Sequence, residues 1–377
     1  MKRQDNAVEI LKIFAIALLL FSLLGLYPSA EGRSARFNLS ARAAALYVPE
    51  TDTFIYSKNL NERLPMASTT KIMTALIALE ECKGDEVVVI DAESVGIEGS
   101  SAYLREGDRL TMEELTYALL LQSANDAAVA IARHIGGSIE DFADIMNERA
   151  SALGLSDTHF ENPHGLDSTE HYTTAHDLAK IAAAALENTK FREIASTYKK
   201  TFATEERSRT YVNHNKLLNM YAGCIGVKTG FTKKSGRCLV GAAERDGLTF
   251  VTVTLDAPSD WADHRTMLDY GYEMLEKISF AEPMEYEYNI PVIDGNADEI
   301  LVRNTDSASL IRAREHREIE THVRLSRFAV APVCEGDILG EIIFTIDGEV
   351  CARVNLVAAT DVDKKSKTIW ERITSLF

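Results

Sequence analysis

A chain of 377 residues with 46% apolar and 26% charged side chains has the composition of a folded protein, long enough for one large core and a smaller second one. Its formal net charge of -17 argues against a nucleic-acid partner, whose phosphates it would repel, and otherwise reads as a solvated acidic surface. The five cysteines (Cys82, Cys224, Cys238, Cys334 and Cys351) are odd in number and widely spaced, so they specify no disulfide framework. No Cys-x-x-Cys or His-Glu-x-x-His occurs to support a metal or another cofactor, and the spacing of His164, His171 and His176 suits loop and helix-start residues better than ligands.

Lys2, Arg3 and Lys12 precede an apolar run over 13–27, which is followed by Pro28-Ser29-Ala30. The run is short for a membrane span and suits a signal-peptide core cleaved near Ala30; an uncleaved anchor is the alternative. Either way the folded part is expected outside the cytoplasm. Apolar patches over 44–48 and 53–56, joined by Pro49-Glu50-Thr51-Asp52, predict a hairpin. Ile72, Ala75, Leu76 and Leu79 predict a helix with little polar relief, which should be buried. Capping boxes or their Asp variants open three more helices at Thr111 with Glu114, Ser138 with Asp141 and Thr174 with Asp177; Gly154 should stop the second. Strands are expected over 236–242 and 248–255, then a helix over 261–278.

Beyond about Phe280 the helical periodicity gives way to strand-like runs over 284–292, 319–330, 340–346 and 350–357, some separated by the turn pairs Gly336-Asp337 and Asp347-Gly348. This predicts a small all-β module appended to a mixed catalytic domain. At the end, Lys364, Lys365 and Lys367 lead into Ile369, Trp370, Ile373, Leu376 and Phe377, an amphipathic pattern suited to a membrane surface or to docking on the protein itself. The expected division is 1–30 signal peptide, 31–279 catalytic domain, 280–357 β module and 358–377 membrane-associating tail.

Three short pieces carry chemistry: Ser68-Thr69-Thr70-Lys71, Ser123-Ala124-Asn125 and Lys228-Thr229-Gly230. A Ser-x-x-Lys alone arises about once by chance in a chain of this size. A serine hydroxyl needs a base, and Lys71, three residues on, shares its helical face. Burial beside a second cation, for which Lys228 is a candidate, would lower the lysine pKa enough for it to serve. Read singly, Ser68 is a helix cap, Ser123 caps the next helix, and Lys228 lies in a solvated loop. Read jointly, Ser123 and Asn125 project from a break between buried helices, and Gly230 lets another backbone approach a strand edge. Lys228 with Thr229 could hold a terminal carboxylate by charge and hydrogen bond.

In order and setting the three pieces match the penicillin-interacting serine enzymes. With Pro65-Met66-Ala67, Asn162-Pro163-His164-Gly165-Leu166-Asp167, Asn213-His214-Asn215-Lys216-Leu217-Leu218 and Ser235-Gly236-Arg237-Cys238-Leu239-Val240, the chain resembles a low-molecular-mass penicillin-binding protein, a D-alanyl-D-alanine carboxypeptidase, over about 36–357. The resemblance implies an α+β fold: a penicillin-binding/β-lactamase-like domain with a five-stranded, mainly antiparallel sheet flanked by helices, and a C-terminal all-β domain. It implies Ser68 as nucleophile, Lys71 as general base and Ser123 as proton relay to the departing D-alanine. Asn125 would hold the acyl side chain, Lys228, Thr229 and Gly230 would bind substrate, and the backbone amides of Ser68 and Phe231 would form the oxyanion hole. The implied partners are peptidoglycan stem peptides, β-lactam antibiotics and the outer face of the cytoplasmic membrane. His164 and Asp167 receive no role beyond ordering a loop.

A class A β-lactamase would need a further glutamate in a Glu-x-x-Leu-Asn phrase, and Glu161-Asn162-Pro163-His164 is not that phrase. An endopeptidase or transpeptidase would use the same residues, because the acceptor is chosen by pocket shape. A catalytically silent wall-binding protein is disfavoured by the intact Ser68, Lys71, Ser123 and Lys228.

Overall fold

The Pro49-Glu50-Thr51 turn ends on Asp52 in the left-handed region (φ 52°), which returns β1 (Ala43–Val48) as β2 (Thr53–Lys58) in the expected hairpin. All six residues of β1 are buried, as befits a strand with neighbours on both edges and cover on both faces. The computed structural model describes residues 37–203, 208–314 and 317–366. It divides into two units: the described residues up to Ala243 with Phe250–Leu268, and Glu244–Thr249 with the described residues from Asp269 on.

In the first unit, α1 (Lys71–Glu81) is buried continuously from Lys71 to Ala78, as its sequence predicts for a helix apolar on every side. The short hairpin of β3 (Val87–Val89) and β4 (Arg109–Thr111) leads to α2 (Met112–Leu121), α3 (Asn125–Gly136), α4 (Ile139–Ala152), α5 (Ala175–Glu187) and α6 (Thr189–Ser196). The three anticipated caps form: Thr111 Oγ1 accepts from Glu114 N at 3.1 Å, Ser138 Oγ from Asp141 N at 3.0 Å and Thr174 Oγ1 from Asp177 N at 3.0 Å. Each stabilises its helix start by about 1 kcal/mol. After the hairpin of β5 (Lys199–Ala203) and β6 (Ser208–Val212) and the single turn α7 (Leu217–Met220) come β7 (Cys224–Thr232), β8 (Gly236–Arg245) and β9 (Leu248–Leu255). The five-stranded sheet runs β2-β1-β9-β8-β7, with β1–β2, β1–β9 and β7–β8 antiparallel, so β7 lies on an edge. Ile72, Leu76, Leu119, Ile131, Leu178, Val240 and Val251 belong to one core that joins α1 to its neighbouring helices and the sheet.

The helix expected over 261–278 is shorter. It runs as α8 (Asp260–Met274) and gives way to β10 (Leu275–Ala281), which pairs with β13 (Ala308–Ala313). Ile278 and Phe280 favour a strand once a partner is present, and that partner lies some thirty residues downstream, beyond the reach of local periodicity. In the second unit the sheet order is β14-β16-β17-β12-β11-β15, built from β11 (Glu287–Ile293), β12 (Glu299–Asn304), β14 (Ile319–Leu325), β15 (Ala329–Val330), β16 (Ile338–Ile346) and β17 (Glu349–Ala358). Phe280, Ile290, Val302, Phe344 and Leu356 form its own core. Asp347 (φ 52°) and Gly348 (φ 81°) make the expected tight turn between β16 and β17. The run over 319–330 divides into β14 and β15, and β12 and β13 were not anticipated. Among the described residues no helix is long and apolar enough to cross a membrane. The proposed signal segment and most of the amphipathic tail lie outside the described residues.

Candidate active site

Residues Ala67–Thr70 form one tight 3-10 turn that feeds directly into α1 at Lys71. Ala67 takes φ 46°, a left-handed conformation that costs a residue with a β-carbon about 1 kcal/mol or more. No side-chain cap closes this turn or α1, so Ser68 is not a helix cap. Half-buried Ser68 instead meets Lys71, whose Nζ lies 2.9 Å from Ser68 Oγ, 2.7 Å from Asn125 Oδ1 and 2.6 Å from the His164 carbonyl oxygen. Lys71 is wholly buried. Burial first, and then the charge of Lys228, push its pKa well below the ordinary lysine value, while Asp126 opposes the shift.

The break between α2 and α3 is as the sequence implies. Ser123 sits in it at φ 59°, buried, and the cap of α3 is Ala124 rather than Ser123. Among the described residues no side-chain hydrogen bond holds Ser123. Asn125 is fixed on both sides, by Lys71 and by donation from Nδ2 to the Glu98 carbonyl; its backbone N–H donates to Ser100 O at 2.7 Å. The sequence reading missed the neighbouring Asp126. Its buried carboxylate accepts from Ser101 Oγ at 2.6 Å, Ala102 N at 2.9 Å and Leu104 N at 3.1 Å, binding the segment over 98–104 to the start of α3. The available signal was an acid in a helix's first turn beside a chemical motif.

The edge strand β7 closes the third side. A β-carbon on Gly230 would lie 3.0 Å from the Ser68 nitrogen and 3.1 Å from Ala67 Cβ, so glycine permits the strand's close approach to the turn that carries Ser68. Lys228 is buried, donates from Nζ to the Thr229 carbonyl at 2.9 Å, and has its pKa lowered by burial to about 7. Phe231 is 65% exposed. Beyond it Thr232 Oγ1 donates to Asp167 Oδ1 at 2.9 Å, joining β7 to the segment over 162–168.

That segment is more than a loop kept in order. Asn162 Oδ1 accepts from Gly165 N at 2.7 Å, Thr74 Oγ1 donates to Pro163 O at 2.7 Å, and His164 presents its carbonyl to Lys71. The His164 ring is held neutral, with its pKa pushed down to about 3 by burial and then by the Lys71 charge; Nδ1 accepts from Leu166 N. Gly165 adopts φ 84°, and a β-carbon there would stand 1.9 Å from Ala67 O. Gly165→Ala is therefore expected to cost about 2 kcal/mol or more in stability and to slow acylation by penicillin. Urea unfolding and an acylation time course check this; a variant unchanged in both would refute the packing argument.

Away from this cleft the ligand atoms of Cys82, Glu86 and His134 lie within 4.8 Å of one another. His134 Nε2 and Glu86 Oε1 are hydrogen-bonded at 2.7 Å, closer than the about 3.3 Å that separates two ligands of one tetrahedral zinc ion, so these two side chains are arranged for a hydrogen bond with each other rather than for a shared cation.

Comparison with known proteins decides the family. The D-alanyl-D-alanine carboxypeptidase family matches residues 30–259, and the penicillin-binding protein 5 C-terminal domain matches residues 280–364. The chain belongs to the D-alanyl-D-alanine carboxypeptidase family. The D-alanyl-D-alanine carboxypeptidase DacF of Bacillus subtilis is 30% identical over 93% of this chain and 93% of its own length. The Streptomyces K15 DD-transpeptidase structure superposes with a TM-score of 0.60 at 34% identity, over 63% of this chain and 99% of that one. Penicillin-binding protein 5 from Haemophilus influenzae, 24% identical, shares the fold with a TM-score of 0.63 over 88% of this chain and 100% of its own. The protein is thus a serine-type D-Ala-D-Ala carboxypeptidase of the low-molecular-mass penicillin-binding proteins, acting in peptidoglycan metabolism, with the α+β catalytic domain and β-rich C-terminal domain of that family. Members of the family are exported cell-envelope enzymes, and the family implies binding of peptidoglycan peptides and penicillin.

Proposed function

We propose that Ser68 carries the acyl group and that Lys71 is its general base. One observation supports this above the others: the three neighbours of Lys71 Nζ. Asn125 Oδ1 and the His164 carbonyl can only accept, so in a neutral amine they take both N–H donors and leave the lone pair for the Ser68 hydroxyl. Ser68 Oγ then bonds to the carbonyl carbon of the penultimate D-alanine as its proton passes to Lys71. The C–N bond breaks, and the departing D-alanine nitrogen takes up a proton relayed through Ser123. Water cleaves the ester, regenerating the hydroxyl and freeing the shortened stem peptide as a carboxylate. Asn125 holds the acyl side chain, and buried Lys228 with Thr229 binds the terminal carboxylate. Gly230 lets β7 lie against the nucleophile turn, and the N–H groups of Ser68 and Phe231 receive the oxyanion.

We further propose export through residues 1–30, with the catalytic domain over 31–279 and the C-terminal chain beyond 364 resting on the outer face of the cytoplasmic membrane. The tail does not start at 358 as expected, because Ala358 closes β17, Val362 lies in the core of the β module and Lys364 bridges Gly295. The membrane assignment is supported by Lys364, Lys365 and Lys367 ahead of Ile369, Ile373, Leu376 and Phe377, whose spacing would place them on one face if this segment were helical.

Incubation with penicillin followed by peptide mapping is expected to place one adduct on Ser68, and incubation with pentapeptide muropeptides to remove one D-alanine. Cleaved or newly made cross-links would instead assign the acceptor chemistry to an endopeptidase or transpeptidase; an adduct elsewhere would refute the site.

A further inference from the structure

His171 was read from sequence as a loop residue, yet it is 4% exposed and stands behind the nucleophile turn. Three hydrogen bonds run in series from it. His171 Nε2 lies 2.8 Å from Thr70 Oγ1, Thr70 Oγ1 lies 2.8 Å from the Ala67 carbonyl oxygen, and Glu161 N lies 3.0 Å from His171 Nδ1. Their directions are forced. The Ala67 oxygen can only accept, so it takes the single Thr70 hydroxyl proton; Thr70 then accepts from His171 Nε2–H, and the bare Nδ1 accepts from the Glu161 N–H. The ring is the neutral Nε2–H tautomer, and burial, which lowers its pKa to about 4, agrees with that.

The far end of this series matters because the Ala67 carbonyl and the Ser68 N–H belong to one planar peptide unit. Fixing the oxygen fixes the direction of the N–H, and a hydrogen bond accepted at the oxygen polarises the N–H further. The unit needs fixing, because Ala67 holds a left-handed conformation it would otherwise leave. Gly165 walls the same oxygen from another side.

We propose that His171 is a positioning residue, acting through Thr70 to aim the Ser68 N–H at the oxyanion of the acyl-transfer transition state. This rests on the assignment of Ser68 and its N–H made above.

The test is acylation by a fluorescent penicillin, resolving the non-covalent binding constant from the acylation rate constant, with melting temperatures measured alongside. His171→Leu fills the space without hydrogen bonds and should lower the acylation rate constant by about tenfold or more, with the binding constant within about threefold. His171→Gln, which can both accept from Glu161 N and donate to Thr70, should recover most of that rate. Thr70→Val should match the loss, Thr70→Ser should not, and joining Thr70→Val to His171→Leu should add little. Should His171→Leu not fold, the Thr70 pair carries the same comparison. Equal losses in the Leu and Gln variants, additive losses in the double variant, or a folded Leu variant acylating at the unaltered rate would overturn the proposal. If the unaltered chain itself took no acyl group on Ser68, the assignment of the nucleophile would fall first and the relay with it.

Discussion

Ser68→Ala leaves pentapeptide intact: D-alanine release falls by about 10⁴-fold or more, and no covalent penicillin adduct forms. The loss is chemical because little else in the cleft leans on the hydroxyl. Lys71 keeps its bonds to Asn125 Oδ1 and the His164 carbonyl. At Gly230 the atoms that limit the strand's approach are the Ser68 and Thr69 backbone nitrogens and Ala67 Cβ, all of which the substitution leaves in place. Removing Oγ therefore forfeits one hydrogen bond, worth about 1 kcal/mol, and should move the melting temperature by no more than about 5 °C. The lysine and the groups proposed to bind the carboxylate and the oxyanion all survive, so the variant should still bind substrate while failing to turn it over. Mass spectrometry of muropeptides, with equilibrium binding of the same peptide, separates the two steps. Retained release by a folded variant would show that another group is the nucleophile.

Much of this cleft could be read in the sequence because its decisive relations are local. Ser68 and Lys71 are three residues apart, and that spacing alone brings Nζ to Oγ once the turn feeds a helix. The caps at Thr111, Ser138 and Thr174 are local for the same reason and formed as expected. Relations that depend on distant segments were not legible. His171 looked idle because Thr70, its partner, lies 101 residues away and Glu161 offers only a backbone N–H. His164 entered through a carbonyl oxygen, which no side-chain pattern advertises. Residues 275–278 fell within the expected helix, and the pairing of 275–281 with Ala308–Ala313 makes them a strand. Asp126 lies between these cases. Its place next to Asn125 was visible, but the segment it fastens, ending at Leu104, comes from the opposite side of α2 in the sequence.

Lys71→Arg is expected to slow acylation by about 10²–10⁴-fold and to remove the acid limb of the pH profile. The sign follows from the opposite duties that the proposed mechanism gives the two buried lysines. Lys71 must be neutral to take the Ser68 proton, so activity rises as pH climbs through its lowered pKa. Lys228 must be charged to hold a carboxylate, so kcat/KM falls as pH climbs through a value of about 7 in the free protein. The two are linked, because the Lys228 charge is among the forces that keep Lys71 neutral. A bound carboxylate restores charge to Lys228, so the alkaline limb of kcat should lie at higher pH than that of kcat/KM. An arginine at 71 stays charged throughout the working range and offers no lone pair, hence the lost acid limb. Lys228→Arg tests the partner: its permanent cation should abolish the alkaline limb while leaving the acid one, even where the longer side chain lowers the rate. Profiles of kcat and kcat/KM for both variants check this. An acid limb persisting unchanged in Lys71→Arg would assign the base to a different group, and an alkaline limb persisting in Lys228→Arg would free Lys228 from carboxylate recognition.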